Sequence, residues 1–276
     1  RVYGLSLFTY NKFTMKKLLL FTFIIILSSF SEITAWGKIG HRTVGEIAER
    51  HLRPEVKEKV YELLDGESLA SVSTWADEMR SNPEFDKYST WHYVNLPLDK
   101  DYDDVSHIGP NVVKMINTAI PILESPMAEK SVKQFWLKYL VHMVGDVHQP
   151  LHTGREEDWG GNKIDVYFKG RKDAESLTNL HDLWDAGLID DFKMTHSDLS
   201  THLINKYSSM PIEQRTAKDW ANESHQFVPK IYETKEGSYL SYDYVYENFP
   251  IVEQRLYEAG IRLANLLNDI FIEQVN

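Results

Sequence analysis

Two segments of the sequence place a histidine and an aspartate four residues apart. They are His142 with Asp146, in VHMVGDVHQPLH, and His181 with Asp185, in NLHDLWDAG. On a helix, residues four apart lie on one face about one turn from each other, so each pair could share a metal ion. One such pair is weak evidence, because exposed helices carry these ion pairs by chance. The first pair, however, lies in a strongly apolar helix, where two ionisable groups are rarely buried without a partner.

Further metal-binding groups lie elsewhere in the chain. STWADEMR and STWHYVN supply Asp77 and His92, next to or near Trp75 and Trp91, which could shield a metal site or could be plain core residues. The candidate ligands are five histidines and three aspartates: His41, His92, His142, His152, His181, Asp77, Asp146 and Asp185. Imidazole and carboxylate groups suit zinc, and eight of them exceed what one tetrahedral ion binds. The pattern therefore predicts a cluster of metal ions.

Composition limits the chemistry that is open to the chain. Its 276 residues include no cysteine, which excludes disulfides, thiolate metal sites and cysteine nucleophiles. It carries 30 basic and 41 acidic residues, a net charge of −11, and residues 36–276 alone carry −14. Phosphate contacts normally use Lys and Arg, so this acidic body is not a general binder of polyanions. If it handles phosphates, bound cations must supply the positive charge.

The N-terminal segment has the layout of a cleaved secretion signal. Met15 and two lysines precede an apolar stretch over residues 18–30, and Ala35 offers a small residue before a cut. The apolar run is short for a membrane span, although an uncleaved anchor is the alternative. We expect an upstream extension over residues 1–14 and a signal peptide over residues 15–35, cleaved after Ala35. The protein would then be secreted or periplasmic, without stable membrane association.

The remainder is predicted to form one all-α domain from Trp36 to Asn276, with one short strand or hairpin. Apolar residues at three- and four-residue steps predict helices over residues 40–52, 55–64, 111–123 and 251–270. Another helix is predicted to be capped by Ser131 and to end before Pro150. Residues 162–168 alternate apolar and polar side chains, which indicates a strand.

Together these segments resemble the zinc-dependent S1/P1 nuclease family, which shares an all-helical superfamily with the bacterial zinc phospholipases C. The matching segments occur in family order: WGKIGHRTVGEIAERHL, STWADEMR, WHYVN, FWLKYLVHMVGDVHQPLH, GGNKIDV, NLHDLWD, WANES and AGIRLANLLN. They span essentially all of residues 36–276, and the combination is far more specific than any one motif.

The resemblance implies three zinc sites. The implied ligands are Asp77, His92, His142 and Asp146 for one ion; Asp146, His41 and the amino group and carbonyl of Trp36 for a second; and His152, His181 and Asp185 for the third. A ligating α-amino group must be terminal and neutral, which gives the cut after Ala35 a chemical purpose.

The resemblance also implies the reaction, which is hydrolysis of single-stranded DNA and RNA to 5′-phosphate products together with 3′-nucleotidase activity. Asp77, Asp146 and Arg80 would be the catalytic residues. The Arg80 guanidinium suits transition-state charge, although it could instead form a surface ion pair with Asp77 or Glu78. The substrates would be single-stranded nucleic acid and 3′-nucleotides, and the protein is expected to be a monomer.

Three residues match substrate-binding positions of the family. Tyr93 occupies the place of a base-stacking aromatic residue, and Asn95 replaces an acidic residue of the fungal members, which leaves base preference open. Asn162 matches a residue close to the substrate phosphate, although Gly160-Gly161-Asn162 is also an ordinary turn sequence. His148 is not a ligand in the family pattern, so a supporting hydrogen bond near the ligands is expected.

Two alternative functions stay open at this point. One is a zinc phospholipase C on the same scaffold, although that branch typically has Glu where this sequence has Asp185. The other is a metal-storage or adhesion protein that has lost catalysis, although every matched ligand is present in this chain.

Overall fold

The computed structural model describes residues 36–272. The predicted upstream extension, the signal peptide and the cut after Ala35 therefore lie outside the described residues. Helices dominate the described part, which confirms the mainly helical fold class. Within residues 36–272, no helix combines the length and the apolarity that a bilayer crossing needs.

The secondary structure combines long helices with helices of only three to five residues. The helices are α1 (Lys38–His51), α2 (Pro54–Leu63), α3 (Leu69–Val72), α4 (Trp75–Met79), α5 (Val112–Glu124), α6 (Lys130–Val147), α7 (Leu180–Asp182), α8 (Leu188–Asp190), α9 (His196–Tyr207), α10 (Ala217–His225), α11 (Val228–Ile231) and α12 (Tyr242–Ile272). Other helical segments connect them: a ten-residue 3-10 segment at Pro83–His92, short 3-10 segments at Tyr102–Asp104 and Pro150–Thr153, and a π turn at Leu183–Gly187. The predicted helices over residues 40–52, 55–64 and 111–123 are confirmed to within two residues.

The core forms where α12 runs along α1 and where α5 runs along α6. Apolar side chains at helical spacing are fully buried there, including Ile47 on α1, Leu140 on α6 and Leu263 on α12. Helix α6 also contacts α1, α4 and the 3-10 segments at residues 83–92 and 150–153. Helix α6 is thus in contact with most of the elements that carry the candidate site residues.

The start of α6 differs from the prediction, because Ser131 does not cap it. Glu129 is the N-cap residue, without a side-chain hydrogen bond, and the helix begins at Lys130. Capping by a serine contributes only about 1 kcal/mol. Contacts with the turn after α2 compete with it, since the Lys130 ammonium lies 2.5 Å from an Asp65 carboxylate oxygen and Gln134 donates to the Leu63 carbonyl.

The predicted strand is also shorter than expected, and it belongs to a small sheet. The strands are β1 (Asp165–Phe168), β2 (Leu177–Asn179) and β3 (Tyr239–Leu240), in the order β2-β1-β3. β1 pairs antiparallel with β2 and parallel with β3. Residues 162–164 form a turn instead, because the Ile164 N–H donates to the Gly161 carbonyl.

The last helix begins nine residues earlier than the predicted residue 251, and it continues through Pro250. A proline inside a helix removes one backbone hydrogen bond and normally bends or ends the helix. Burial of Val245 and Phe249 stabilises the extra turns, and the Phe249 ring stacks on Phe192 with 3.7 Å between centroids. Tertiary packing therefore outweighs the local signal.

Candidate metal centre

The C-terminal half of α6 carries His142 and Asp146 into the protein interior, where both side chains are fully buried. The four-residue spacing brings His142 Nε2 to 3.1 Å from Asp146 Oδ2. His142 Nδ1 donates to the Ser73 carbonyl at 2.7 Å, so the lone pair of the neutral ring lies on Nε2 and faces the carboxylate. This arrangement is typical of two metal ligands, because the hydrogen bond to Ser73 fixes the tautomer of His142.

Three more side chains, from α1, α4 and the end of the 3-10 segment at residues 83–92, converge on this pair. The first group is defined as His41, Asp77, His92, His142 and Asp146. His41 Nε2 lies 3.2 Å from Asp146 Oδ1, and His92 Nδ1 lies 3.1 Å from Asp146 Oδ2. His142 Nε2 lies 3.6 Å from Asp77 Oδ1. Asp146 therefore contacts ring nitrogens with both of its oxygens.

A second group consists of His152, His181 and Asp185. His181 Nε2 lies 3.1 Å and His152 Nε2 lies 3.6 Å from the Asp185 carboxylate. Asp185 is fully buried in the π turn, an element that often occurs at functional sites. His152 Nδ1 lies 3.8 Å from Asp146 Oδ1, so the two groups are neighbours.

Buried atoms of both groups lack hydrogen-bond partners within residues 36–272. They are His41 Nδ1 and Nε2, Asp77 Oδ1, Asp146 Oδ1, His152 Nε2, His181 Nε2 and Asp185 Oδ2. Such unpaired buried atoms are rare, because each carries a desolvation penalty. The two groups contain three sets of residues whose possible ligand atoms all lie within 4.8 Å of one another, a geometry suited to a bound cation. The donors are nitrogen and oxygen without thiolate, so they fit zinc.

The two groups favour positive charge. Burial lowers the pKa of His142, but Asp146 and Asp77 outweigh it and raise that pKa to about 9. His152 behaves alike, because Asp146 and Asp185 oppose burial and raise its pKa to about 9. Burial raises the pKa of Asp146, but the two rings hold it well below its usual range. The Asp146 carboxylate therefore stays charged at neutral pH, and protons compete with any metal ion for the two rings.

His41 depends on a glycine that the sequence analysis missed. Burial, followed by the neighbouring His142, lowers the pKa of His41, which keeps this ring neutral. A Cβ atom at Gly145 would lie 2.8 Å from His41 Nδ1, so only glycine allows the ring to approach α6. The available signal was a glycine inside an apolar helix, where it costs roughly 1 kcal/mol relative to alanine.

Trp36 is the first described residue, and it lies beside both groups. Its ring is fully buried next to Gly40 and Gly145. The following Gly37 N–H donates to the Asp185 carbonyl at 2.7 Å. The role of the Trp36 amino group and carbonyl as ligands remains a prediction.

Arg80 lies at the edge of the first group. Its guanidinium NH1 is 3.6 Å from Asp77 Oδ1, and its side chain is 29% exposed. The ion pair weighed as an alternative is therefore present, while the guanidinium still reaches solvent beside the donor atoms. Whether Arg80 also acts in catalysis remains a prediction.

The three predicted substrate-binding residues lie on two segments near the groups. Tyr93 and Asn95 are half-buried and alternate with buried Val94, whose N–H donates to the His152 carbonyl at 2.9 Å. The extended backbone therefore points Tyr93 and Asn95 to the same side. Asn162 Nδ2 donates to the Trp159 carbonyl at 2.7 Å within the Gly160-Gly161 turn, so this side chain has a turn-forming contact.

Comparison with known proteins places the chain among nucleases. The S1/P1 Nuclease family model matches residues 36–272. The chain belongs to the S1/P1 nuclease family. It is 32% identical to Endonuclease 4 of Arabidopsis thaliana over 86% of this chain and 89% of that protein. It is 29% identical to Nuclease S1 of Aspergillus oryzae (84% and 91% covered) and 26% identical to Nuclease P1 of Penicillium citrinum (85% and 97%). Family membership supports a hydrolase of phosphodiester bonds.

Within this family member, Gln149 and His148 have contacts that sequence reasoning did not find. Gln149 is fully buried and donates through Nε2 to Asp185 Oδ1, which orients the carboxylate. His148 turns away from both groups, and its Nε2 accepts from Arg262 NH1 at 3.0 Å. The prediction that His148 forms a hydrogen bond near the ligands is therefore wrong, because its ring faces the buried Arg262 instead.

Proposed function

We propose that this chain is a zinc-dependent nuclease that hydrolyses single-stranded DNA and RNA to 5′-phosphate products and also acts as a 3′-nucleotidase. One observation carries the proposal, namely the convergence of buried His and Asp atoms that have no hydrogen-bond partner within residues 36–272. Family membership gives the reaction class, and the donor chemistry favours zinc.

We assign three zinc ions to these residues. The proposed ligands are Asp77, His92, His142 and Asp146 for one ion; Asp146, His41 and the Trp36 terminus for a second; and His152, His181 and Asp185 for a third. When bound, zinc supplies Lewis-acid chemistry, polarising phosphate esters and making water acidic enough to ionise near neutral pH. Six positive charges would also change the net charge of residues 36–276 from −14 to about −8.

The chain's own residues would orient the substrate and balance its charge. Asp146 contacts His41 through one carboxylate oxygen and His92 through the other. Asp77 lies next to His142 in the same group. The Arg80 guanidinium would donate to a phosphate oxygen and stabilise the charge that develops there. Tyr93 would stack on an exposed base, which is worth about 1–3 kcal/mol and requires an unpaired strand. Asn95 and Asn162 would contact base and phosphate.

The matching experiment compares substrates on purified mature protein. Single-stranded DNA, RNA, 3′-AMP and phosphatidylcholine are each incubated with the enzyme, with chelator, and with chelator followed by zinc. We expect hydrolysis of the first three, loss with chelator, recovery with zinc, and 5′-phosphate ends on the polymer products. Hydrolysis of the lipid alone would overturn the proposal in favour of a phospholipase C. Zinc binding without hydrolysis of any substrate would favour a non-catalytic protein.

We further propose that the protein is exported as a monomer after removal of residues 15–35, and that the cut after Ala35 completes the site at Trp36. The fully buried Trp36 ring beside Gly145 supports this, because it holds residue 36 next to the first group. A variant that keeps one extra residue before Trp36 should lose zinc and activity. Normal zinc content in that variant would contradict the role of the chain end.

A further inference from the structure

A backbone carbonyl sets the direction in which His181 offers its lone pair. His181 Nδ1 donates to the Gly160 carbonyl at 2.8 Å, and His181 Nε2 faces Asp185 Oδ2 at 3.1 Å. A neutral imidazole has one N–H, so this hydrogen bond assigns the proton to Nδ1 and the lone pair to Nε2. The ligand geometry of the second group therefore depends on where the Gly160 carbonyl lies.

Gly160 lies in a turn that has backbone hydrogen bonds, from Gly160 N–H to the Arg155 carbonyl at 2.8 Å and from Lys163 N–H to the Asp158 carbonyl at 3.1 Å, but also a run of strained residues. Trp159, Gly160 and Gly161 have φ values of 56°, 64° and 90°, three left-handed residues in succession. Left-handed backbone at a bulky residue such as tryptophan is unfavourable and persists only where the surroundings enforce it. A Cβ atom at Gly160 would lie 2.5 Å from the Leu151 carbonyl oxygen, so the turn is also pressed against the neighbouring chain.

The carboxylate of Asp158 adds side-chain contacts that connect this turn to its surroundings. This side chain is nearly buried, and its Oδ1 accepts from the Gly161 N–H at 2.9 Å and from the Tyr232 hydroxyl at 2.7 Å. Its Oδ2 accepts from Arg155 Nε at 2.9 Å and from Arg155 NH2. One carboxylate thus joins both ends of the turn to Tyr232, which directly follows α11.

We propose that Asp158 is a positioning residue for His181, and that it sets the affinity of the second group for its metal ion. An amide at this position has one acceptor oxygen in place of two, so the contacts to the Gly161 N–H, Tyr232 and Arg155 cannot all be kept, and the left-handed backbone then relaxes. The Gly160 carbonyl leaves His181 Nδ1, so the proton redistributes between the two ring nitrogens and Nε2 is no longer held toward Asp185. The inference rests on the proposed function in taking zinc as the ion.

The test measures zinc affinity rather than turnover. Competitive chelator titrations are run on the wild type, on Asp158→Asn and Tyr232→Phe, and on Glu157→Gln as a matched loss of one acidic side chain in the same turn. We expect one class of zinc to weaken by about 10- to 100-fold in Asp158→Asn and by less in Tyr232→Phe, while the other ions keep wild-type affinity. Glu157→Gln should bind zinc like the wild type.

Imidazole ¹⁵N spectra of the metal-free proteins separate positioning from a general loss of structure. The wild type should show His181 protonated at Nδ1, identified by its absence in His181→Gln, and Asp158→Asn should show a tautomer mixture with the other rings unchanged. Wild-type affinity for every zinc ion in Asp158→Asn and in Tyr232→Phe would overturn the inference. If Asp158→Asn does not fold, Tyr232→Phe decides alone. A wild type whose second group binds no zinc would overturn the proposed function instead.

Discussion

Two clusters of buried polar residues lie at the C-terminal end of α6, and they differ in how their atoms are satisfied. One is the first group around Asp146. The other, here named the arginine network, consists of His148, Glu223, Arg255, Glu258 and Arg262. In the network, Arg255 donates to Glu223, Glu258 and the Ser224 hydroxyl, and Arg262 donates to Glu223 and His148. In the first group, the buried atoms His41 Nε2, Asp77 Oδ1 and Asp146 Oδ1 have no hydrogen-bond partner within residues 36–272.

The two histidines that flank Asp146 show the same contrast. Carboxylates raise the pKa of His142 to about 9 against the effect of burial. Burial and then Arg255 and Arg262 hold the pKa of His148 well below its usual range. His148 is thus a neutral acceptor inside a completed structural network, while His142 lies in a site that attracts cations. Burial of polar residues alone does not indicate a metal centre, whereas unpaired donor atoms do.

The largest effect should follow from Asp146→Asn, which removes the charge that contacts rings of both groups. We expect phosphodiester hydrolysis to fall by about 1,000-fold or more, since the substitution weakens more than one ion site. Cleavage rates on single-stranded DNA and zinc content per chain are the measurements. His148→Asn, two residues away, should keep the zinc content. Equal zinc loss in the two variants would contradict the distinction between the clusters.

In the arginine network, Glu223→Gln should act on stability and not on metal binding. It leaves Arg255 and Arg262 with one carboxylate fewer in a buried setting, so we expect the free energy of unfolding to fall by about 3 kcal/mol. Urea denaturation of zinc-loaded protein measures this change. The exposed Glu247→Gln on α12 is the control and should change little. A loss of zinc from folded Glu223→Gln protein would show that the clusters are coupled.

The pKa shifts predict how pH affects the metal-free protein. His142 and His152 have folded pKa values of about 9 against 6.5 unfolded, so their ion pairs stabilise fully below pH 6.5. That stabilisation is lost as pH rises through 9. Because both rings share Asp146, we expect a total decrease on the order of 2 kcal/mol between pH 7.5 and 9.5, a window above the range in which the lowered pKa values of His41 and His148 act in the opposite direction. Urea unfolding of chelated protein tests it, with His142→Gln as a variant that should respond less. A free energy of unfolding that increases with pH over this window would contradict the prediction.

The smallest effect is expected from Gly145→Ala, which adds one methyl group against His41. Displacement of the ring should weaken zinc binding in the first group by about 10-fold, as loss of a ligand's support does elsewhere. Chelator competition measures the change. The substitution should add little in a His41→Ala background, because the ring it displaces is then absent. Additive losses in the double variant would point to a different cause.

Sequence patterns could predict the helices and the side chains of the site, but not the contacts that orient them. Helical spacing placed His142 with Asp146 and His181 with Asp185, because four residues span about one turn. The carbonyls of Ser73 and Gly160 have no side-chain signature and become partners only when distant segments pack.

The errors have the same origin in tertiary contacts. Helix α12 continues through Pro250 because Phe249 is buried, and α6 starts before Ser131 because its first turn contacts Asp65. His148 forms a hydrogen bond with Arg262 and does not face the candidate ligands, and Arg262 lies 114 residues after it in the sequence. Local propensity does not contain these interactions.

Diffraction from crystals of the mature enzyme on both sides of the zinc absorption edge tests the central claim most directly. The account predicts three anomalous peaks, two within the first group and one among His152, His181 and Asp185. An enzyme that cleaves single-stranded DNA from the same preparation and shows no peak at these residues would contradict it.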